Sequence, residues 1–304
     1  MYSYTMVQWL FFFYFYCLFG WCFESSYVSL KSRHLVNRGF MRGPFLPLYG
    51  SGAIMMLVVS MPFQHNLALT YIAGCIGATA LEYVTGVGME ALFKVRYWDY
   101  SNQKFNFQGH ICLSSTLAWG GLTILMTRVV HRPVEQFVLA IPSGVLSAAT
   151  YALTVYIVAD FTLSFKTAID LRDILMKMEA AKEELERVQK RLDVIIAVSN
   201  EEREIRRQER SQRADELIAD IEERLGSLKV KIQSEVSVYP DNIKEEIQEL
   251  RMKYRMSVEN RTQLRTLKDF YKRQMIKGNP TMVSRHFKDT LQELKETVDE
   301  RLGK

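Results

Sequence analysis

The chain has 304 residues, with 39 Lys/Arg against 34 Asp/Glu and a formal charge of +5 at pH 7. The average hides two unlike halves: residues 1–165 carry only 9 basic and 6 acidic residues, and residues 166–304 carry the other 30 and 28. Neither half is strongly one-signed, which argues against a nucleic-acid binder, and Cys17, Cys22, Cys75 and Cys112 sit in or beside apolar runs, unlike a secreted disulfide framework.

A helix needs roughly 20 apolar residues to cross a bilayer, because each backbone N–H and C=O must be paired inside hydrocarbon. Five stretches are predicted to cross. They are residues 4–23, 45–63 (weakened by Pro47 and two early glycines), 67–93 (interrupted by Glu82 and Glu90), 111–130 and 134–165. No basic segment precedes the first and no small-residue cleavage site follows it, so it is expected to remain as an anchor. Lys31, Arg33, Arg38 and Arg42 fall in the first loop and Lys94, Arg96 and Lys104 in the third, against Arg128 and Arg132 in the fourth. The positive-inside rule then puts loops one and three in the cytoplasm and the N-terminus outside.

Beyond Phe165 the pattern changes. Leu171, Leu175, Met178, Leu185, Val188, Leu192 and Ile195 follow a three-four spacing with charged flanks, the seam of a coiled coil. The seam resumes at Leu217, Ile221, Leu225 and Leu228, after the polar run 200–213. Breaks are expected at "SVYPDN" (237–242) and "KGNP" (277–280), since proline is disfavoured inside helices. After Pro240 the chain can return as an antiparallel hairpin or pair with a second copy. The expected fold class is all-α: a transmembrane domain, residues 1–165, followed by long cytoplasmic coiled-coil helices, residues 166–304.

Charges inside membrane spans are costly and mark functional positions. Glu82 lies on an i+4 stripe with Gly74, Ala78, Gly86 and Glu90, and small residues at that spacing admit a neighbouring helix. Glu82 is therefore expected to face the bundle. Glu24 follows Gly20 by one turn and heads a Gly/Pro-rich loop holding Asn37, Arg38, Gly39, Gly43, Pro44, Pro47, Tyr49 and Gly50. Irregular backbone at membrane depth belongs in protein or against a wet cavity. The third loop has a related grammar, with Trp98, Asp99, Asn106, Gln108, Gly109 and His110. "VNRGF" and "FNFQG" are the closest words of what reads as a weak parallel repeat. His110 and Cys112 are two metal-type ligands with no third, so neither a metal nor another cofactor is expected.

"GWCFES", "VNRGFMRGPFLPLYGSGA", "LEYVTG", "YWDYS" and "NFQGHICL", taken in order over residues 5–160, resemble the bacterial CmpB-like family of ABC-transporter type IV permeases. The resemblance implies a multi-pass plasma-membrane protein. It highlights Glu24, Asn37, Arg38, Gly39, Gly43, Pro44, Tyr49, Gly50, Glu82, Trp98, Asp99, Asn106, Gly109 and Cys112. There is no G-x-x-x-x-G-K-[ST] phosphate loop, so any ATPase subunit would be a separate chain.

The expected function is a transporter-like permease with a polar, substrate-binding site at the cytoplasmic face, built from Glu24, Asn37, Arg38, Gly39, Tyr49, Glu82, Trp98, Asp99 and Asn106. The expected partners are the lipid bilayer and a second copy through the coiled coil. A membrane-anchored scaffold or sensor is one alternative. An inner-leaflet lipid-binding or lipid-modifying protein, with Arg38 and Arg42 on a phosphate, is another. No nucleophile is recognised, so an enzyme is not expected.

Overall fold

The computed structural model describes residues 4–208, 241–265 and 269–300. They divide into two compact units, Met1–Met176 with Leu267–Lys304, and Lys177–Thr266. The first unit thus takes in the final segment, which sequence patterning alone groups with the coiled-coil helices.

In the first unit, α1 (Met6–Ser32) opens on a capping box. Gln8 N–H donates to Thr5 Oγ1 at 3.3 Å and Thr5 N–H to Gln8 Oε1 at 2.8 Å. It ends on Arg33 in the left-handed region (φ 58°). α2 (Pro47–Ser60) starts with proline in its first turn, where the missing N–H has no helical partner to lose. A 3₁₀ turn, Met61–Phe63, extends it. α3 (Leu67–Phe93) is capped by Asn66 and ends, like α1, on a basic left-handed residue, Lys94 (φ 59°). A small hairpin follows, β1 (Asn106–Phe107) paired antiparallel with β2 (Ile111–Cys112). α4 (Leu113–Leu125), a π-turn (Met126–Val130) and α5 (His131–Ala140) form one continuous run. α6 spans Ser143–Gln208.

Two expectations change here. Four helical runs are long and apolar enough to cross a membrane: Met6–Ser32, Leu67–Phe93, Leu113–Ala140 and Ser143–Ile195. The second expected span is the shorter helix Pro47–Phe63. At 1.5 Å per residue it reaches about 25 Å against a hydrocarbon core of roughly 30 Å. The expected fourth loop, with Arg128 and Arg132, is helical. Pro133 has no N–H for the carbonyl four residues back, and the π-turn just before it opens the carbonyl ladder at that point. The chain turns instead at Ile141 and Pro142. The Arg128 guanidinium donates to the Gln64 carbonyl in the turn between α2 and α3.

Lipid offers helices little extra gain from burying apolar surface, so close packing and hydrogen bonds hold a membrane bundle. α1 packs on α2, α2 on α3, and α3 on α4. The core residues Phe12, Tyr16, Leu57, Met126, Val138 and Leu146 join α1, α2, the π-turn, α5 and α6. The α3 stripe of Gly74, Ala78, Glu82 and Gly86 is its buried face, as the spacing predicts.

The final segment forms α8 (Phe270–Gly278) and α9 (Lys288–Glu300). The expected break at 277–280 is the strap that follows α8. In the second unit, the end of α6 and helix α7 (Asp241–Arg265) bury Val188 and Ile247. Arg191 Nε lies 2.7 Å from Glu246 Oε1, and Lys253 is reached by the Glu184 carboxylate as well as by Glu249. Moving up α6 from Glu184 to Arg191 moves down α7 from Lys253 to Glu246, so the helices run antiparallel. The expected seam at Leu217, Ile221, Leu225 and Leu228, and residues 237–240 of the expected break, lie outside the described residues.

Candidate polar site at the loop end of the bundle

Glu24 is placed by α1 and met by α2. Gly20, one turn earlier, lets the Tyr49 ring lie against the α1 backbone; a Cβ on Gly20 would collide with it. From there Tyr49 OH donates to Glu24 Oε1 at 2.6 Å. Arg38 Nε lies 3.6 Å from Glu24 Oε2. Glu82, 6% exposed, comes from α3 and turns towards α4. It accepts from Tyr100 OH at 3.0 Å, Trp119 Nε1 at 2.9 Å and Ser115 Oγ at 3.4 Å.

Tyr100 belongs to Glu82 by contact and lies within reach of the Glu24 charge. Burial first, then Glu82, pushes the phenol above its ordinary value, so the hydroxyl remains a proton donor. The structure places Arg38 and Tyr49 on Glu24, and Tyr100, Ser115 and Trp119 on Glu82; sequence reasoning missed the last three. Their identity as partners depends on helix rotation, which no motif spells out. Asp160, an acid within an apolar run, was visible but overlooked. Its Oδ2 accepts from Gly43 N at 2.9 Å.

Other expected residues shape the loops around this cluster. Asn37 Oδ1 accepts from Trp21 Nε1 at 2.5 Å and its Nδ2 donates to Arg42 O at 2.6 Å. Trp98 Nε1 donates to His110 O at 3.1 Å. Asp99 Oδ1 accepts from Ser101 Oγ at 2.5 Å and Ser101 N at 3.0 Å. Asn106 Nδ2 donates to Gln103 O at 2.8 Å, and its Oδ1 accepts from Gly109 N at 3.2 Å. Gly109 itself holds φ 75°, and a Cβ there would meet Arg96 and Asp99.

Arg96 is the centre of the third loop. Its NH2 lies 2.7 Å from Glu90 Oε2 and its NH1 3.4 Å from Asp99 Oδ1. His110 Nε2 is 2.9 Å from the same Glu90 oxygen. Burial and the Arg96 charge hold the His110 imidazole below its ordinary range, against the opposing pull of Glu90. A neutral ring donating to a carboxylate already paired with arginine suits His110 and Glu90, while the buried Arg96 Nε has no hydrogen-bond partner. Burial would raise the Asp99 carboxyl, but the Ser101 hydrogen bonds and Arg96 together hold it low.

The strap between α8 and α9 clasps both loops. Arg38 NH1 donates to Gly278 O at 3.0 Å and Asn279 Oδ1 at 2.9 Å. Asn279 Nδ2 donates to Gly39 O at 3.1 Å. Arg96 and Val283 exchange backbone hydrogen bonds at 2.7 and 2.9 Å, and Thr281 Oγ1 donates to Tyr97 O at 3.0 Å. Lys295 of α9 holds the strap from behind, donating to Pro280 O at 2.8 Å and Met282 O at 2.6 Å.

A bundle of long apolar helices with a buried acid in its interior and a second, Glu24, held at the helix end by Tyr49 and Arg38 has the features of a multi-pass helical membrane protein. The chain belongs to the family described as "Putative ABC-transporter type IV", whose model matches residues 11–165. No curated protein and no solved structure matches the chain.

Proposed function

We propose that this protein is the membrane-embedded permease component of a transporter, with its polar site at the cytoplasmic end of the bundle. Glu24, Arg38, Tyr49 and Glu82, together with Tyr100, are the groups that would meet a cation or small polar solute. Asn37, Gly39, Trp98, Asp99 and Asn106 would shape the loops over it. The observation that carries this reading is a pair of carboxylates on different apolar helices, each accepting a tyrosine hydroxyl: Tyr49 on Glu24 at 2.6 Å and Tyr100 on Glu82 at 3.0 Å. Acids are held at that depth where a polar pathway needs them.

In this reading α2 makes the fifth crossing, the N-terminus lies outside and the basic loops face the cytoplasm of a bacterial cell. ATP hydrolysis would come from a separate subunit. α6 and α7 would form the coiled coil. Their exposed Val194, Met252 and Met256 favour assembly with a second copy. The test is flux of sodium, potassium and protons in proteoliposomes, with and without a co-encoded ATPase. Wild type should exceed empty vesicles, and Glu82→Gln should lose at least about tenfold, the scale of one lost charge interaction. No flux under either condition would end the proposal.

A further inference from the structure

Two adjoining hollows lie against the last turns of α1. The larger, about 1050 Å³, runs between α1 from Trp21 to Ser29, the loop at Leu35 and Val36, and α8. The smaller, about 540 Å³, shares Ser26, Ser29 and Leu35 with it and continues to Arg33 and His34. The larger hollow joins two chemistries. Trp21, Leu35, Val36 and Phe270 make it apolar, and Arg273 and Lys277 make it basic. No acidic side chain lines either hollow.

Its surroundings say where it sits. On α1, Phe19, Phe23, Tyr27 and Leu30 are exposed, and Leu35 beyond the helix is 95% exposed. α8 (FYKRQMIKG) contains three basic residues, no acid, and exposed Phe270 and Tyr271. That is the composition of a helix lying in the headgroup layer. Arg38 and Arg42 lie near this level but line neither hollow. Arg38 engages Glu24, Gly278 and Asn279, and Arg42 engages Thr167 and the Tyr271 ring.

We propose that this groove holds an anionic phospholipid, its phosphate at Arg273 and Lys277 and its chains along Trp21, Leu35 and Phe270. A soluble anion would leave the apolar lining wet. A zwitterionic lipid would bring its own cation beside Arg273 and Lys277. An anionic lipid satisfies both parts, since basic side chains at an anionic surface each add to attraction. The hollow adjoins the loops over the Glu24–Glu82 cluster at Asn37, but its basic pair belongs to α8 and the proposal does not depend on transport.

The test uses the full chain in phosphatidylcholine nanodiscs, titrated with phosphatidylglycerol brominated near the top of its chains. Bromine quenches nearby tryptophan, and the Trp21 signal is the difference between wild type and Trp21→Phe. Brominated phosphatidylglycerol should half-quench Trp21 at a mole fraction about tenfold below brominated phosphatidylcholine, a conservative figure for two basic residues. Arg273→Gln/Lys277→Gln should remove that preference. Leu35→Asp, at a side chain too exposed to be needed for folding, should weaken it by adding a negative charge. Equal quenching by the two lipids would overturn the proposal. So would an unchanged preference in both variants, or relief of quenching by millimolar inorganic phosphate, which would mark a free-anion site instead.

Discussion

At the scale of residues, Glu82, Asp99 and the loop histidine have distinct consequences. Glu82→Gln can keep its carbonyl on Trp119 and Ser115 and turn its N–H₂ to the Tyr100 oxygen, which must then accept instead of donate, so the charge-assisted bonds become weaker neutral ones. The expected cost is about 1–2 kcal/mol, within the range for polar contacts between membrane helices. Thermal unfolding in detergent measures it, and Tyr100→Phe should cost less. His110 is neutral in the fold, whereas the unfolded ring binds a proton below about pH 6.5. Its contribution is complete above that pH and declines as pH falls towards the lower folded value. Asp99, held low, keeps its contribution above the unfolded carboxylate value of about 3.9 and loses it only below. His110→Gln should therefore flatten the decline in melting temperature just below pH 6.5 and leave the steeper loss below about pH 4. An unaltered profile would show that His110 is not the group responsible. Glu24 and Glu82 were legible in the sequence because a charge in an apolar run stands out. Tyr100 and Trp119 were not, because aromatic residues near a membrane surface are ordinary there.

At the scale of elements, the strap is the least foreseeable part. A short run such as "GNPTMVS" has no periodicity, and its partners lie far off in sequence, Tyr97 at 184 residues from Thr281 and Arg38 at 241 from Asn279. Asn279→Ala removes contacts to Arg38, Gly39 and Met275 at a buried position. It should cost about 2–3 kcal/mol locally and raise amide exchange in residues 37–42 and 94–97. Unchanged protection there would mean that the loops hold themselves. Gly20→Ala tests the other end of the chain of contacts. Its methyl group displaces Tyr49, so hydrogen bonding to Glu24 should be lost without unfolding α1. The sequence showed the i+4 stripe of α3 and the proline start of α2 because each has a local cause. It misplaced the turn after α4 because Arg128, Arg132 and Pro133 together look like a loop. The π-turn that absorbs the proline leaves no compositional trace. His131 was missed for the same reason. It is buried, with Nδ1 2.8 Å from Tyr16 OH and Nε2 3.1 Å from Tyr4 OH.

At the scale of the whole molecule, the helices of the second unit run antiparallel within one chain, which is one of the two pairings that spacing left open. In a Cys22→Ser background, Arg191→Cys with Glu246→Cys should be joined by a short bis-maleimide within one chain, seen as a faster-migrating monomer. A ladder of dimers from the double variant alone, with no shifted monomer, would favour pairing between chains. A heptad seam cannot encode that choice, because the same apolar stripe serves either partner.

The clasp of Arg38 by Gly278 and Asn279 also imposes an order of events. Translation at about 5–20 residues per second puts on the order of 10–50 s between the emergence of Arg38 and that of its partners. The apolar helices are inserted during that interval while both basic loops lack their clasp. Through that interval the loop backbones at Gly39, Arg96 and Tyr97 are without the partners that later satisfy them, so the first half must hold its loops, or leave them wet, until the last residues arrive.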